Sequence, residues 1–190
     1  MKKVRFMILK YLTVDQWDDD LWEKVQPIYD QAFADKGAKP EKIIRTMFRK
    51  QLCFLHVGVM DGRVAVIALT GKLKEAKSLL IDYLAVKEEQ RGQGIGTQMV
   101  EYIEDWAMTT GDYSSLIIEV EAEETPENRA RVAFWERCGF ILTDYIHHYI
   151  WVPEPYQAMY KKLRLITELP TDGEILFTYI GQFHKASFQP

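Results

Sequence analysis

Apolar residues recur at three- and four-residue steps through 18–33, where Leu21, Trp22, Val25, Ile28, Tyr29 and Phe33 share one face. That spacing predicts an amphipathic helix. Ahead of it, the apolar stretch 4–12 reads as an opening strand, with Thr13 or Asp15 turning the chain. Residues 36–39 read as a loop, and Pro40 is placed to open a short second helix through Arg49. Two apolar runs, 51–60 and 63–72, flank Asp61-Gly62, a dipeptide suited to the left-handed backbone of a two-residue hairpin turn. A polar turn over 72–78 then leads into the apolar strand 79–86.

In the second half, 95–109 places Ile95, Met99, Ile103 and Trp106 on one helical stripe, widened by Val100 and Ala107, with Gly111 just beyond. Residues 113–120 form the next strand. Helix 126–138 opens on Thr125-Pro126 and stops before Gly139, a cap-and-stop pair with a physical reason at each end. Strands over 140–150 and 157–165 follow, separated by the proline-bearing 152–156. Residues 169–173 punctuate the chain, 174–180 reads as one short additional strand, and the last ten residues read as frayed. A helix flanked by strands, twice over, calls for a largely parallel central portion of sheet. The hairpin adds an antiparallel portion beside it. The expected fold class is α/β, a mixed central sheet with N-terminal helices and a hairpin, and helices on both faces.

Composition narrows the function classes. A chain of 190 residues with 47% hydrophobic content can bury a substantial core. A formal charge of −4 with no basic stripe argues against nucleic acid as a partner. Cys53 and Cys138 are the two cysteines, both in apolar or helical contexts, which fits a reducing interior better than a disulfide framework. The first residues resemble a charged leader, but Lys10 interrupts the apolar run and no small-residue cleavage site follows. No run reaches the length of a membrane span. The expectation is a soluble, cytoplasmic protein, monomer or homodimer.

The densest chemical signal lies between strand 79–86 and helix 95–109. Gly92, Gly94 and Gly96 let backbone N–H groups converge, and the helix adds its unpaired N-terminal donors and positive dipole end. Together these suit a phosphate or pyrophosphate. A nucleotide-triphosphate loop would need Lys and then Ser or Thr after its last glycine, whereas Gly96 is followed by Thr97 with no Lys before it. A dinucleotide fingerprint would read GxGxxG near the start of a βαβ unit, and this turn reads Gly92-Gln93-Gly94-Ile95-Gly96 in mid-chain.

The turn resembles the acetyl-CoA-binding signature of the GNAT superfamily of N-acetyltransferases, Arg/Gln-x-x-Gly-x-Gly/Ala, with Arg91, Gly94 and Gly96 in the named positions. A second motif, Asn128-Arg129-Ala130-Arg131-Val132-Ala133-Phe134-Trp135-Glu136-Arg137-Cys138-Gly139-Phe140, resembles the family's Asn-containing helix that ends in Gly-Phe. The resemblance covers about 1–165, leaving 166–190 as a C-terminal extension of the same domain. It implies acetyl-CoA as cofactor. It assigns Leu84, Ala85 and Val86 to the pantetheine arm, and Arg91, Gly92, Gln93, Gly94, Ile95, Gly96 and Thr97 to the pyrophosphate. It further implies that Asn128 bonds the arm, that Phe134 packs, and that Trp135 walls the thioester. Trp135 departs from the family, which usually has Tyr there as proposed acid for the leaving thiolate. Indole does not ionise at useful pH, so that role does not transfer. Either another hydroxyl serves, with Tyr145, Tyr149 and Tyr156 as the candidates and Tyr145 foremost, or solvent protonates the thiolate.

An amine must lose a proton before it attacks, so a base belongs nearby. Glu119 and Glu121 share a face of strand 113–120 by its period of two, and Asp82 interrupts an apolar run. Glu119 and Asp82 are the candidate catalytic acids. With Glu121 and Glu123 they would favour a cationic amine. His147 and His148 are adjacent on a strand, His56 lies in the hairpin and His184 in the tail, so no metal site is expected. The leading expectation is acetyl transfer to a primary amine of a small, cationic molecule by direct attack. The alternatives are acetylation of a protein N-terminus or lysine, and a non-catalytic acyl-CoA-binding or sensing domain.

Overall fold

The computed structural model describes residues 8–110 and 113–189. Its elements, in order, are β1 (Lys10–Val14), α1 (Asp19–Phe33), α2 (Glu41–Arg49), β2 (Cys53–Met60), β3 (Arg63–Leu73), β4 (Ser78–Val86), a single 3-10 turn (Glu88–Gln90), α3 (Ile95–Thr110), β5 (Ser115–Glu121), α4 (Pro126–Arg137), β6 (Ile141–Leu142), β7 (His147–His148), β8 (Pro155–Lys162) and α5 (Gly173–Phe188). The strands form one eight-stranded sheet in the order β1-β2-β3-β4-β5-β8-β6, with β7 also paired to β8. The fold is mixed α/β, a mostly antiparallel sheet flanked by helices.

Two compact units divide the chain, one running to Leu69 and resuming over Tyr83–Tyr102, the other Thr70–Asp82 with the chain from Ile103 onward. In the first, β1 pairs antiparallel with β2 from Lys10↔Val59 to Val14↔Leu55. Asp18 caps α1 by accepting from the Leu21 N–H, and the helix buries Trp22, Val25, Ile28 and Tyr29. Helix α2 adds Ile44, Met47 and Phe48. The hairpin turn is as the dipeptide requires, with Asp61 at φ 50° and Gly62 at φ 77°. Ile95, Met99 and Val100, near the start of α3, are buried.

In the second unit β5 is central. It pairs parallel with β4 over Ser78–Leu80 and antiparallel with β8 along its whole length, from Ser115↔Lys162 to Glu121↔Tyr156. Strands β6 and β7 pair antiparallel with β8. Thr125 caps α4 and Gly139 ends its final turn at φ 87°. Helix α5 packs on β8 and buries Leu176, Phe177, Ile180 and Phe183. Two glycines let it seat closely. A Cβ on Gly71 would stand 2.3 Å from the Phe183 ring, and one on Gly173 would stand 2.6 Å from Thr143 Oγ1.

Four expectations are corrected. The opening strand begins later, at Lys10, and the portion of it over 4–7 lies outside the described residues, as does Gly111. The central sheet is not largely parallel. After α4 the chain passes through β6 and β7 and reverses before entering β8, so β8 meets β5 antiparallel. Stretch 140–150 is two short strands, β6 and β7, separated by 143–146; Thr143 keeps the pairing with β8 through its N–H and hydroxyl on the Ala158 carbonyl, and the chain leaves the sheet after it. Residues 174–180 are helical, within α5, and most of the supposed frayed end belongs to the same helix.

Candidate active site

In the first unit the sequence around the glycines folds into a tight strand-to-helix turn. Past Val86, the Lys87 N–H bonds the Ala65 carbonyl at 2.8 Å, and Arg91 Nε donates back to the Val86 carbonyl at 3.1 Å. Gly92 and Gly94 adopt φ 75° and 76°, where an L side chain is strained. Helix α3 starts at Ile95, and the Gln98 N–H is bonded to the Gly94 carbonyl. The N–H groups of Ile95, Gly96 and Thr97 precede the helix's own bonding pattern. A Cβ at Gly92 or Gly94 would meet nothing within 4 Å, so the turn opens onto free space. Converging donors, a positive helix end and an open mouth fit the pyrophosphate of a coenzyme. Ile95 itself is buried and contributes only its backbone. Strand β4, which carries Leu84, Ala85 and Val86, runs directly into this turn, with Ala85 buried and its two neighbours partly so.

The Asn128 motif lies in the second unit. Asn128 and Trp135 are the buried residues of α4, on one side of the helix as their spacing of seven requires. Asn128 Nδ2 donates to the Glu123 carbonyl at 3.0 Å, and its Oδ1 accepts from Arg131 at 3.2 Å. Its amide is therefore used to shape the β5–α4 loop, with one Nδ2–H remaining. Trp135 is 7% exposed and packs edge-on against Phe134 and Phe140.

The same unit gathers the titrating groups. The β4–β5 ladder ends at Leu80↔Ile117. Two residues further along each strand, on the same faces, stand Asp82 and Glu119. Glu119 Oε2 accepts from the Tyr149 hydroxyl at 2.6 Å, and its Oε1 meets His184 Nε2 at 2.7 Å. One donor atom each of Asp82, Glu119 and His184 lie within 4.8 Å of one another. Burial, then the charge and hydrogen bond of Glu119, raise the Tyr149 pKa far above that of an ordinary phenol. Burial, with Glu121 and Glu119 behind it, pushes Tyr156 up to about 12. Burial also lowers the His147 pKa, with Glu119 opposing. Rings cluster around Tyr149, the donor to the Glu119 carboxylate. Tyr149 touches His147, Trp151, Tyr156, Phe177 and His184, and His147 stacks on Phe177 at 4.3 Å.

The structure thus brings together Glu119 and Asp82. Tyr145 instead packs against His147 and Phe177, and the tyrosine bonded to Glu119 is Tyr149. Glu121 is drawn to Arg131 at 3.7 Å and Glu123 is exposed, so the wider acidic cluster is reduced to two carboxylates. His184, expected in a frayed tail and dismissed as a ligand, stands in the cluster. Two ligands of one zinc ion would be about 3.3 Å apart, so the 2.7 Å Glu119–His184 contact is a hydrogen bond rather than a ligation geometry. The signal that could have found His184 was its place on the stripe Leu176, Phe177, Ile180, Phe183, one residue past a core position.

The sequence model of the Acetyltransferase (GNAT) family matches residues 14–140. No curated protein sequence matches the chain. Among solved structures, the ribosomal-protein-S18-alanine N-acetyltransferase of Escherichia coli superposes with a TM-score of 0.62 at 18% identity, covering 84% of this chain and 97% of its own. The yncA protein of Salmonella typhimurium, solved with its cofactor acetyl-CoA, gives 0.64 at 14% identity, covering 88% and 99%. An acetyltransferase of Bacillus subtilis in complex with CoA gives 0.59 at 15%, covering 83% and 100%. These likenesses carry the fold, and the family match covers most of the chain and includes both motifs: the protein belongs to the GNAT family of acetyltransferases, whose acetyl donor is acetyl-CoA.

Proposed function

We propose that the protein transfers the acetyl group of acetyl-CoA to a primary amine of a small, cationic molecule by direct attack. The observation that carries this reading is Glu119, fixed through both oxygens and lying beside Asp82 in a ring-lined setting. Two carboxylates favour a positive ligand, and aromatic faces add cation–π attraction for an ammonium group. The Glu119 cluster takes the proton that the ammonium must lose before attack. Acetyl-CoA, when bound, supplies the acetyl group as a thioester. The residues assigned to hold it are Leu84, Ala85 and Val86 along the arm, and Arg91 with the Gly92–Thr97 backbone at the pyrophosphate. Asn128, Phe134 and Trp135 act as loop and wall. Tyr149 stays protonated, which makes it a fixed donor to Glu119 and a poor acid for the departing sulfur, so solvent protonates the thiolate.

A thiol-release assay with polyamines, aminosugars, amino acids, lysine peptides and peptides with free N-termini tests the reading. Small cationic amines are expected to be turned over, and Glu119→Gln to lower kcat/KM at neutral pH by about a hundredfold or more. That loss should shrink at high pH, where free amine is abundant. Turnover confined to peptides, or to uncharged or acidic amines, would contradict the proposal.

A further inference from the structure

We infer that His184 is a catalytic residue: it takes the proton from the attacking amine, and Glu119 orients its ring and balances its charge. The inference rests on the acetyl-transfer reading and deepens it. His184 belongs to α5, beyond residues 14–140 that the family model matches. Several independent features fix it there. Asp172 caps α5 by accepting from the N–H groups of Glu174 and Ile175. Gly71 and Gly173 admit the helix at distances that a Cβ would forbid. The imidazole packs between the rings of Phe183 and Tyr149, at 5.5 and 6.1 Å.

The hydrogen bond assigns the tautomer. An ionised carboxylate has no proton to give, so Nε2 carries the hydrogen toward Glu119 Oε1 and Nδ1 keeps its lone pair. Among the described residues Nδ1 has no hydrogen-bond partner, and the His184 side chain keeps 15% of its surface exposed. Glu119 already receives the Tyr149 and His184 donors, an arrangement that steadies its charge and suits it to orienting the ring. Carboxylate, imidazole and lone pair then stand in the order of the orienting acid and base of a hydrolase triad. Other ionisable groups face the pair from the elements around it. They are Asp82 on β4, His147 on β7, Tyr149 after it, and Tyr156 on β8.

In the step itself, one ammonium proton passes to His184 Nδ1 and the freed nitrogen pair forms the bond to the acetyl carbon. The carbon–sulfur bond breaks with its electrons on sulfur, and the second nitrogen proton is delivered through solvent to that sulfur. The His184 proton returns to water.

His184→Gln keeps a donor for Glu119 but cannot titrate. Its kcat should fall about a hundredfold, with the coenzyme A dissociation constant unchanged. Its kcat/KM profile should lose the inflection that the wild type shows on its acid limb. A profile of wild-type shape would overturn the inference even if the rate were lower. Nitrogen NMR of the wild-type ring needs neither a variant nor turnover. Protonated Nε2 and bare Nδ1 in the neutral form are expected, and the opposite tautomer overturns the assignment. If wild-type enzyme released thiol with none of the amines, the acetyl-transfer reading would fall and the assignment with it. If wild type turned over and only the His184 results failed, this inference alone would fall.

Discussion

Trp135 stands where the family usually offers a phenol, and its surroundings show what the exchange costs. Its ring is buried edge-on against Phe134 and Phe140, at 5.0 and 5.1 Å, and indole has no proton to deliver to a thiolate. The residue therefore acts through packing. Trp135→Phe should retain turnover to within about tenfold and lower stability by about 1–2 kcal/mol, the cost of a partly filled cavity. Steady-state kinetics and urea unfolding check both halves. A loss beyond roughly a hundredfold with coenzyme A affinity intact would have the size of a lost proton-transfer role and contradict the packing account. Asn128 shows the same economy, since one amide both accepts from Arg131 and donates to the Glu123 carbonyl.

Elements with two strong end signals were legible in the sequence. Helices α1, α3 and α4, the Asp61-Gly62 hairpin and strand β4 all lie within a residue or two of their expected bounds. Each has a cap, a turn dipeptide or a long period to fix it. Helix α5 was misread because Ile175, Leu176, Phe177, Tyr179 and Ile180 have strand-like composition over the first turns. Its helical period emerges only when Phe183 and Ser187 are counted with Leu176 and Ile180. Glu119 and Asp82 were legible as acids interrupting apolar strands. Their partners were not, because Tyr149 lies 30 residues away and His184 lies 65 away, in elements whose docking no local pattern encodes. The glycine turn makes a test at this scale. Gly94→Val puts a β-branched side chain at φ 76°, with about 1–3 kcal/mol of strain and a side chain in the open mouth of the turn. Coenzyme A affinity by calorimetry should fall at least about tenfold, and the thermal stabilisation by ligand should shrink with it. Equal binding by wild type and variant would remove the turn from the cofactor site.

At the scale of the whole molecule, the pH dependence of stability should carry the mark of one buried imidazole. His56 lies on β2, fully buried, with Nδ1 2.8 Å from the Thr13 hydroxyl, which in turn bonds the Tyr102 hydroxyl at 2.8 Å. Burial lowers its pKa from 6.5 to about 3. The unfolded chain binds a proton there more readily than the folded one, so the sign is fixed. Stability is fully present above about pH 6.5 and is lost as the pH falls toward 3, at a limiting slope of about 1.4 kcal/mol per pH unit. Between pH 6.5 and 5 the expected loss is about 1.6 kcal/mol, in a range where ordinary carboxylates are still ionised. Lowered by the same cause, His147 adds in the same direction, but with smaller effect because it is only partly buried and the charge of Glu119 opposes the shift. Urea unfolding of wild type and His56→Gln at pH 7 and pH 5 separates this contribution from the rest. The variant gives up its hydrogen-bond geometry at both pH values, so its midpoint should be lower throughout, yet it should fall less steeply between them. Parallel curves for the two proteins would mean that His56 is protonated in the folded state or exchanges its proton without cost, and burial would not be governing acid stability.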